Sequence, residues 1–310
     1  MNISRNPGLY IHIPFCQKKC GYCDFYSVEG SDHRVAPFVS ALAKEIVLKS
    51  KHLQTDAVFD TIYLGGGTPS LLQIADLEEI LNTLSQHFNV SENCETTIEV
   101  NPGTIEPSEF ARLRKIGFNR LSIGVQSFID RELQRLGRIH NVAQAENAII
   151  NGRQGGFSNV SIDLIFALPE QTFADWQISV QKAIDFQPEH LSVYNLIYEP
   201  DTPFYSLREE GKIAPLDEQD EVDFFSFTHS ELSKAGYLHY EVSNYARSAE
   251  LVSRHNYKYW DHTCYLGFGP SAHSFWQNER WGNDRSLTTY IERISRDALP
   301  IASSETLQPE

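Results

Sequence analysis

Leu9-Tyr-Ile-His-Ile13 leads through Pro14 and Phe15 into Cys16-Gln-Lys-Lys-Cys20-Gly-Tyr-Cys23, so a short apolar strand delivers three cysteines onto one loop. The chain of 310 residues holds five cysteines, an odd number and too few for a disulfide framework, yet three of them crowd into eight positions. Spacings of four and three bring three thiolates within reach of a single metal centre. A [4Fe–4S] cluster takes four cysteines as a rule, so three would leave one iron open to an exogenous ligand. Zinc accepts closely spaced cysteines too, with His12, Cys94 or Cys264 as fourth ligand, and three unrelated thiols are the remaining reading.

Outward from this loop, apolar runs rich in Ile, Val, Leu and Tyr alternate with stretches of helical period, the pattern of βα units on a parallel sheet. Strands are expected at 9–13, 61–64, 97–100, 120–124, 159–165 and 190–195, with helices at 37–51, 75–87, 107–115, 142–152 and 173–186. Six βα units then fill residues 1–200, and residues 201–310 read as a smaller α+β extension, with a charged helix at 217–234 followed by short strand-like pieces full of Tyr, Trp and His. In parallel-strand barrels the chemistry sits on loops at the carboxyl ends of the strands. That rule places Tyr10, the cysteine loop, the run Gly65–Pro69, Glu99, Asn101, Gln126, Asp163, Tyr194 and Asn195 around one mouth. The three glycines of Tyr63-Leu-Gly-Gly-Gly-Thr-Pro69 let a small zwitterion approach the backbone, although such a run also serves as a plain tight turn. No Gly-Lys-Ser/Thr follows, so it is not a P-loop.

Composition excludes several classes. With 26 Lys and Arg against 41 Asp and Glu the net charge is −15, which disfavours a nonspecific grip on nucleic acid or on an anionic membrane. No apolar stretch approaches the roughly 18 residues of a membrane span, and the amino terminus reads as mature cytosolic sequence rather than a signal peptide.

The combined residues resemble the radical S-adenosylmethionine superfamily. The resemblance rests on Cys16-x3-Cys20-x2-Cys23 with Tyr22 before the last cysteine, and on the Gly-Gly-Gly-Thr-Pro loop after the next strand. Tyr10-Ile-His-Ile-Pro-Phe-Cys16, Glu99-Val-Asn-Pro102, Ser122–Phe128, Leu136-Gly-Arg138 and Asp163–Pro169 narrow it to the branch that holds the oxygen-independent coproporphyrinogen III dehydrogenases and the haem chaperones. The resemblance implies a partial (β/α)6 TIM-like radical SAM barrel. It implies a [4Fe–4S] cluster on Cys16, Cys20 and Cys23, and S-adenosylmethionine held by Gly66, Gly67, Thr68, Glu99, Gln126, Arg138 and Asp163, with Tyr10 and Tyr22 beside it. Glu99 and Asp163 by themselves read as well as salt-bridge or capping residues.

Two departures favour the chaperone side of the branch. The dehydrogenases typically carry a fourth cysteine two positions beyond the third, where this chain has Phe25, and a longer segment before the cluster loop. Arg254-His-Asn-Tyr-Lys-Tyr-Trp260 resembles the HNxxYW haem-binding motif of the chaperones, with His255 as the iron ligand and flat aromatic faces for a porphyrin. His262 and His273 are further candidates, and a packed aromatic strand with a hydrogen-bonded histidine is the plain alternative. What the chaperone resemblance implies is haem binding and delivery to haem-requiring respiratory proteins in the cytoplasm, an electron donor for the cluster, no nucleic acid, no direct membrane insertion, and room for a homodimer. The alternative is oxidative decarboxylation of coproporphyrinogen III. Chaperone-branch proteins typically continue into a further small carboxyl-terminal domain, so the sequence is expected to stop short of one. Cys94 and Cys264 read as buried small hydrophobes.

Overall fold

The computed structural model describes residues 4–307. Its first part runs β1 (Gly8–Ile13), α1 (Val35–Leu53), β2 (Val58–Gly66), α2 (Ile74–His87), β3 (Asn89–Val100), α3 (Pro107–Ile116) and β4 (Arg120–Gln126). It continues with α4 (Asp130–Leu136), α5 (Val142–Gln154), β5 (Val160–Phe166), α6 (Phe173–Asp185) and β6 (His190–Asn195). The second part holds α7 (Pro203–Glu209), α8 (Glu218–Lys234), β7 (Leu238–His239), β8 (Asn244–Ala246), α9 (Arg254–Trp260), β9 (Tyr265–Phe268), β10 (His273–Trp276), β11 (Glu279–Asn283), α10 (Leu287–Ser295) and β12 (Ile301–Thr306). No described helix is long and apolar enough to cross a membrane.

All twelve of these strands lie in one sheet, in the order β12-β11-β10-β9-β1-β2-β3-β4-β5-β6-β8-β7. The six strands expected from sequence are its parallel centre. The extension adds a seventh parallel strand, because β9 pairs with β1 with Gly8 opposite Tyr265. Antiparallel strands finish both edges. One expectation is corrected: residues 254–260, grouped with the strand-like pieces, form a helix, its first turn capped by the Ser253 hydroxyl accepting from the Asn256 amide.

Side chains alternate across a strand, and here the two faces differ in kind. Leu9, Ile11 and Ile13 of β1, Ile62 and Leu64 of β2, Leu121, Ile123 and Val125 of β4, and Val160, Ile162 and Leu164 of β5 belong to the main apolar core. Burying each is worth about 1.5–3 kcal/mol. The other face carries Tyr10 and His12, Tyr63, Thr97 and Glu99, Arg120 and Ser122, Ser161 and Asp163, His190 and Ser192. Strand register therefore sorts the chain into an apolar outer face and a polar inner one.

The extension is fastened to α1 by a buried carboxylate. Glu45 Oε1 accepts from Lys49 Nζ at 3.0 Å and Asn283 Nδ2 at 2.8 Å, while Oε2 accepts from the Gly269 amide at 2.8 Å and the Tyr290 hydroxyl at 2.7 Å. Both partners of the ion pair are essentially inaccessible, so only this full set of bonds makes the buried charge tolerable.

Candidate cofactor site

The polar inner face ends, at the carboxyl ends of the strands, in a cavity of about 480 Å³. Cys16, Cys20 and Cys23 line it together with Tyr22, Gly66, Gly67, Thr68, Glu99, Gln126, Arg138 and Asp163. Two sequence-selected residues, Tyr10 and His255, are not in the lining.

The glycine run is stitched to the cysteine loop. The Gly67 amide donates to Ile13 O at 2.8 Å, the Thr68 amide to Phe15 O at 2.7 Å, and Thr68 Oγ1 lies 3.5 Å from Cys16 Sγ. Gly66 has φ +106°, and a Cβ there would sit 2.4 Å from His12 Cε1; one on Gly67 would sit 2.6 Å from Phe15 O. Neither position has room for a side chain, so backbone alone faces the cavity. His12 itself is locked beneath, with Nε2 2.8 Å from Tyr26 O and Nδ1 3.1 Å from the Tyr10 hydroxyl.

Glu99 projects from the end of β3. Its Oε1 accepts from the Tyr63 hydroxyl at 2.8 Å and its Oε2 from the Gly66 amide at 3.1 Å. Burial, reinforced by the nearby Asp163, outweighs these bonds and pushes its carboxyl up to about 7. Asp163 is also raised by burial, against bonds from Ser122 Oγ to both its oxygens at 3.0 and 2.9 Å. Two carboxyls with a weak hold on their charge face one cavity, and a cationic guest would restore that charge. Arg138 donates to Gly124 O at 2.8 Å and to Asn101 Oδ1, and reaches Cys20 Sγ at 3.6 Å; its Nε has no partner among the described residues. Gln126 reaches the cavity from a backbone at φ +67°, a left-handed conformation that non-glycine residues adopt at a cost of about 1–3 kcal/mol and that concentrates at functional sites.

Cys94 and Cys264 are removed as fourth ligands, because they lie at the opposite ends of the strands: Cys264 O accepts from the Gly8 amide, and Cys94 precedes Glu95, which pairs with Thr61. Cys94 is buried as expected, whereas Cys264 is only half-buried. The donor chemistry fits the cluster and S-adenosylmethionine: three thiols, backbone amides for a carboxylate, paired carboxyls for cationic groups and one guanidinium with a free N–H.

The sequence profile of the radical SAM superfamily matches residues 10–183. The haem chaperone HemW of Synechocystis is 38% identical over 289 residues, covering 91% of this chain and 69% of that protein. The chain belongs to the HemW family of radical SAM proteins. HemW of Bacillus subtilis is 34% identical over 303 residues, covering 97% of this chain and 79% of its own length. Among solved structures, coproporphyrinogen III oxidase (HemN) from Escherichia coli, titled a radical SAM enzyme, superimposes with a TM-score of 0.86 at 27% identity, covering 98% of this chain and 72% of that one. Membership of the HemW family brings with it the [4Fe–4S] cluster and S-adenosylmethionine.

The HNxxYW segment is split, with Tyr259 and Trp260 exposed and His255 turned inward. His255 is 1% exposed, with Nδ1 2.8 Å from Thr61 Oγ1 and Nε2 3.1 Å from the Tyr259 hydroxyl. Its ring stacks on Tyr63 with centroids 5.2 Å apart and on Tyr10 at 6.2 Å. Burial, with Lys258 and Arg120 nearby, drops its pKa to about 3, so the ring is neutral. In this placement His255 props the aromatic floor under Glu99 and has no nitrogen free for iron. Tyr10 shares that floor.

Sequence reasoning assigned no role to Tyr63, Ser122, Ser192 or Asn256, all of which line the cavity. Ser122 carries a readable signal, since it shares the inner face with Gln126 at even spacing. Asn256 belongs to the HNxxYW segment, yet nothing in that segment ties it to the cofactor cavity, which it reaches only because α9 packs against β2.

Proposed function

We propose that Cys16, Cys20 and Cys23 hold three irons of the cluster and that S-adenosylmethionine binds beside them. In this reading Gly66, Gly67 and Thr68 cradle its methionine end, and Glu99, Gln126, Arg138, Asp163 and Tyr22 contact the rest. When bound and reduced, such a cluster supplies an electron to the sulfonium centre. The chain's own residues orient the cofactor and exclude water.

The protein binds haem and delivers it in the cytoplasm to haem-dependent respiratory proteins. The observation that supports this reading is the similarity to proteins named haem chaperone HemW across nearly the whole chain. Residues 1–200 serve as the cofactor unit and residues 201–310 as the haem-handling extension, with a separate protein donating electrons to the cluster. Titration of ferric haem into anaerobically reconstituted protein, followed at the Soret band, tests it: saturable one-to-one binding is expected, and absence of binding overturns it.

A second reading, oxidative decarboxylation of coproporphyrinogen III, draws on the 0.86 TM-score to the Escherichia coli oxidase. Phe25, 66% exposed on the cavity wall, stands where the dehydrogenases typically carry a further cysteine. Anaerobic incubation with coproporphyrinogen III, S-adenosylmethionine and a reductant decides between the two, since protoporphyrinogen IX is the product of the second alone.

A further inference from the structure

We infer that His229, on the outer face of α8, is the axial ligand of haem iron, presented by a relay through His239. The inference rests on the haem-binding reading above and gives that haem a place. His239 Nε2 lies 3.1 Å from Val242 O. A carbonyl only accepts, so Nε2 carries the proton and the neutral ring has its lone pair on Nδ1. That Nδ1 faces His229 Nδ1 at 3.2 Å, which assigns the proton of this bond to His229. His229 Nε2 is left with a lone pair and no hydrogen-bond partner among the described residues, on an exposed side chain. Metal-binding histidines characteristically donate their second ring N–H to an acceptor, which fixes the tautomer and raises the basicity of the ligating nitrogen. His239 is held in turn by stacking on Tyr245, centroids 4.2 Å apart and planes 7° from parallel.

The surroundings suit a flat apolar macrocycle. Val222, Phe225 and His229 follow one another at spacings of three and four and so share one face of α8. Val222 is 50% exposed and Phe225 38%, while Leu238 and Val242, on either side of His239, are 39% and 61% exposed. The Phe225 ring meets the His239 ring with centroids 6.0 Å apart, so the apolar face of α8 adjoins the His239–Tyr245 stack. A bare divalent ion is a poorer guest, because the site offers it the single free imidazole nitrogen of His229, the facing Nδ1 of His239 being spent on the bond between the two rings. A porphyrin brings four nitrogens of its own and asks the protein for one imidazole and apolar contact. His255 lacks the free nitrogen, and neither His262 nor His273 has a described side-chain hydrogen bond that would fix its tautomer. The acidic first turn of α8, with Glu218, Asp220 and Glu221, turns the propionate edge away from that end of the helix.

The experiment titrates ferric haem into the full chain and into His229→Ala, His229→Cys and His239→Ala. His229 is exposed and His239 half-buried, and all three changes leave the cluster site alone. Expected are at least a tenfold weaker haem affinity in His229→Ala, a Soret band moved to the thiolate-ligated position in His229→Cys, and an intermediate loss in His239→Ala. Ligand exchange in His229→Cys is a spectroscopic signature that a purely structural role cannot produce. Parent-like affinity and spectra in all three variants would overturn this inference while sparing the haem-binding reading. A parent that takes no haem overturns both.

Discussion

The cysteine loop and the α9 helix follow opposite rules. Cys16, Cys20 and Cys23 border an open cavity, and their thiols make few contacts: Cys16 meets Thr68 Oγ1 and Cys20 meets the Arg138 guanidinium. His255 is inaccessible, and both of its ring nitrogens are engaged. A ligand needs an unspent lone pair and a path to it, whereas a residue that positions others spends every bond it has. Sequence motifs do not distinguish the two, and hydrogen-bond accounting does.

The sharpest way to break this contrast is at the cysteines. Replacing Cys16, Cys20 and Cys23 together by Ser should reduce iron and acid-labile sulfide, measured after anaerobic reconstitution, from about four of each per chain to background. The fold should survive, as judged by far-ultraviolet circular dichroism, because none of the three belongs to the apolar core. Loss of the fold would show that the loop is structural after all.

On the other side, His255→Ala should lower unfolding free energy by about 2–4 kcal/mol in a urea titration. It opens a cavity and strands the Thr61 and Tyr259 hydroxyls. Haem affinity of the folded fraction should stay within about twofold of the parent. A stable variant that loses haem would restore His255 as a ligand and collapse the distinction.

A third test uses pH. Glu99 ionises near 7 in the fold and near 4.5 when unfolded, because burial favours the neutral acid. Its contribution to stability is therefore fully present below pH 4.5 and declines by about 3 kcal/mol as pH rises to 7, where it levels off. Glu99→Gln should lack that decline, a difference readable in urea midpoints at pH 4.5 and 7.5. S-adenosylmethionine, being cationic, should bind with proton release and about tenfold more tightly at pH 8 than at pH 6 in the parent, with a flatter profile in Glu99→Gln. Equal slopes would remove Glu99 from the cofactor's surroundings.

The smallest expected effect is at Asn256, which adjoins His255 yet lines the cavity. Asn256→Ala should weaken S-adenosylmethionine about fivefold in equilibrium dialysis and leave stability unchanged within about 0.5 kcal/mol. A stability loss without an affinity loss would place Asn256 with its neighbour.

The parallel centre of the sheet was legible because apolar runs and helix starts recur in phase. Observed strands exceed the expected ones mainly at ends that carry polar residues, as β3 does by beginning at Asn89. The carboxyl-end rule gathered Cys16, Gly66, Glu99, Gln126 and Asp163 correctly around one mouth, since strand direction and side-chain alternation are local properties. What stayed hidden depends on distant pairing. Nothing near Tyr265 announces that it will lie beside Gly8, and nothing in Arg254–Trp260 announces a helix whose histidine turns inward. Aromatic and polar residues such as Tyr257 and Tyr259 suit a strand or a short capped helix equally well, and Ser253 decided the matter.

The parallel pairing of β1 with β9 has a consequence for synthesis. The strand that leads into the cysteine loop is made well before one of its two neighbours, which lies at residues 265–268. At 5–20 residues per second the delay is on the order of tens of seconds. During that interval one edge of β1 stays unpaired, and the strand that carries the cysteine loop gains its second neighbour only when residues 265–268 dock.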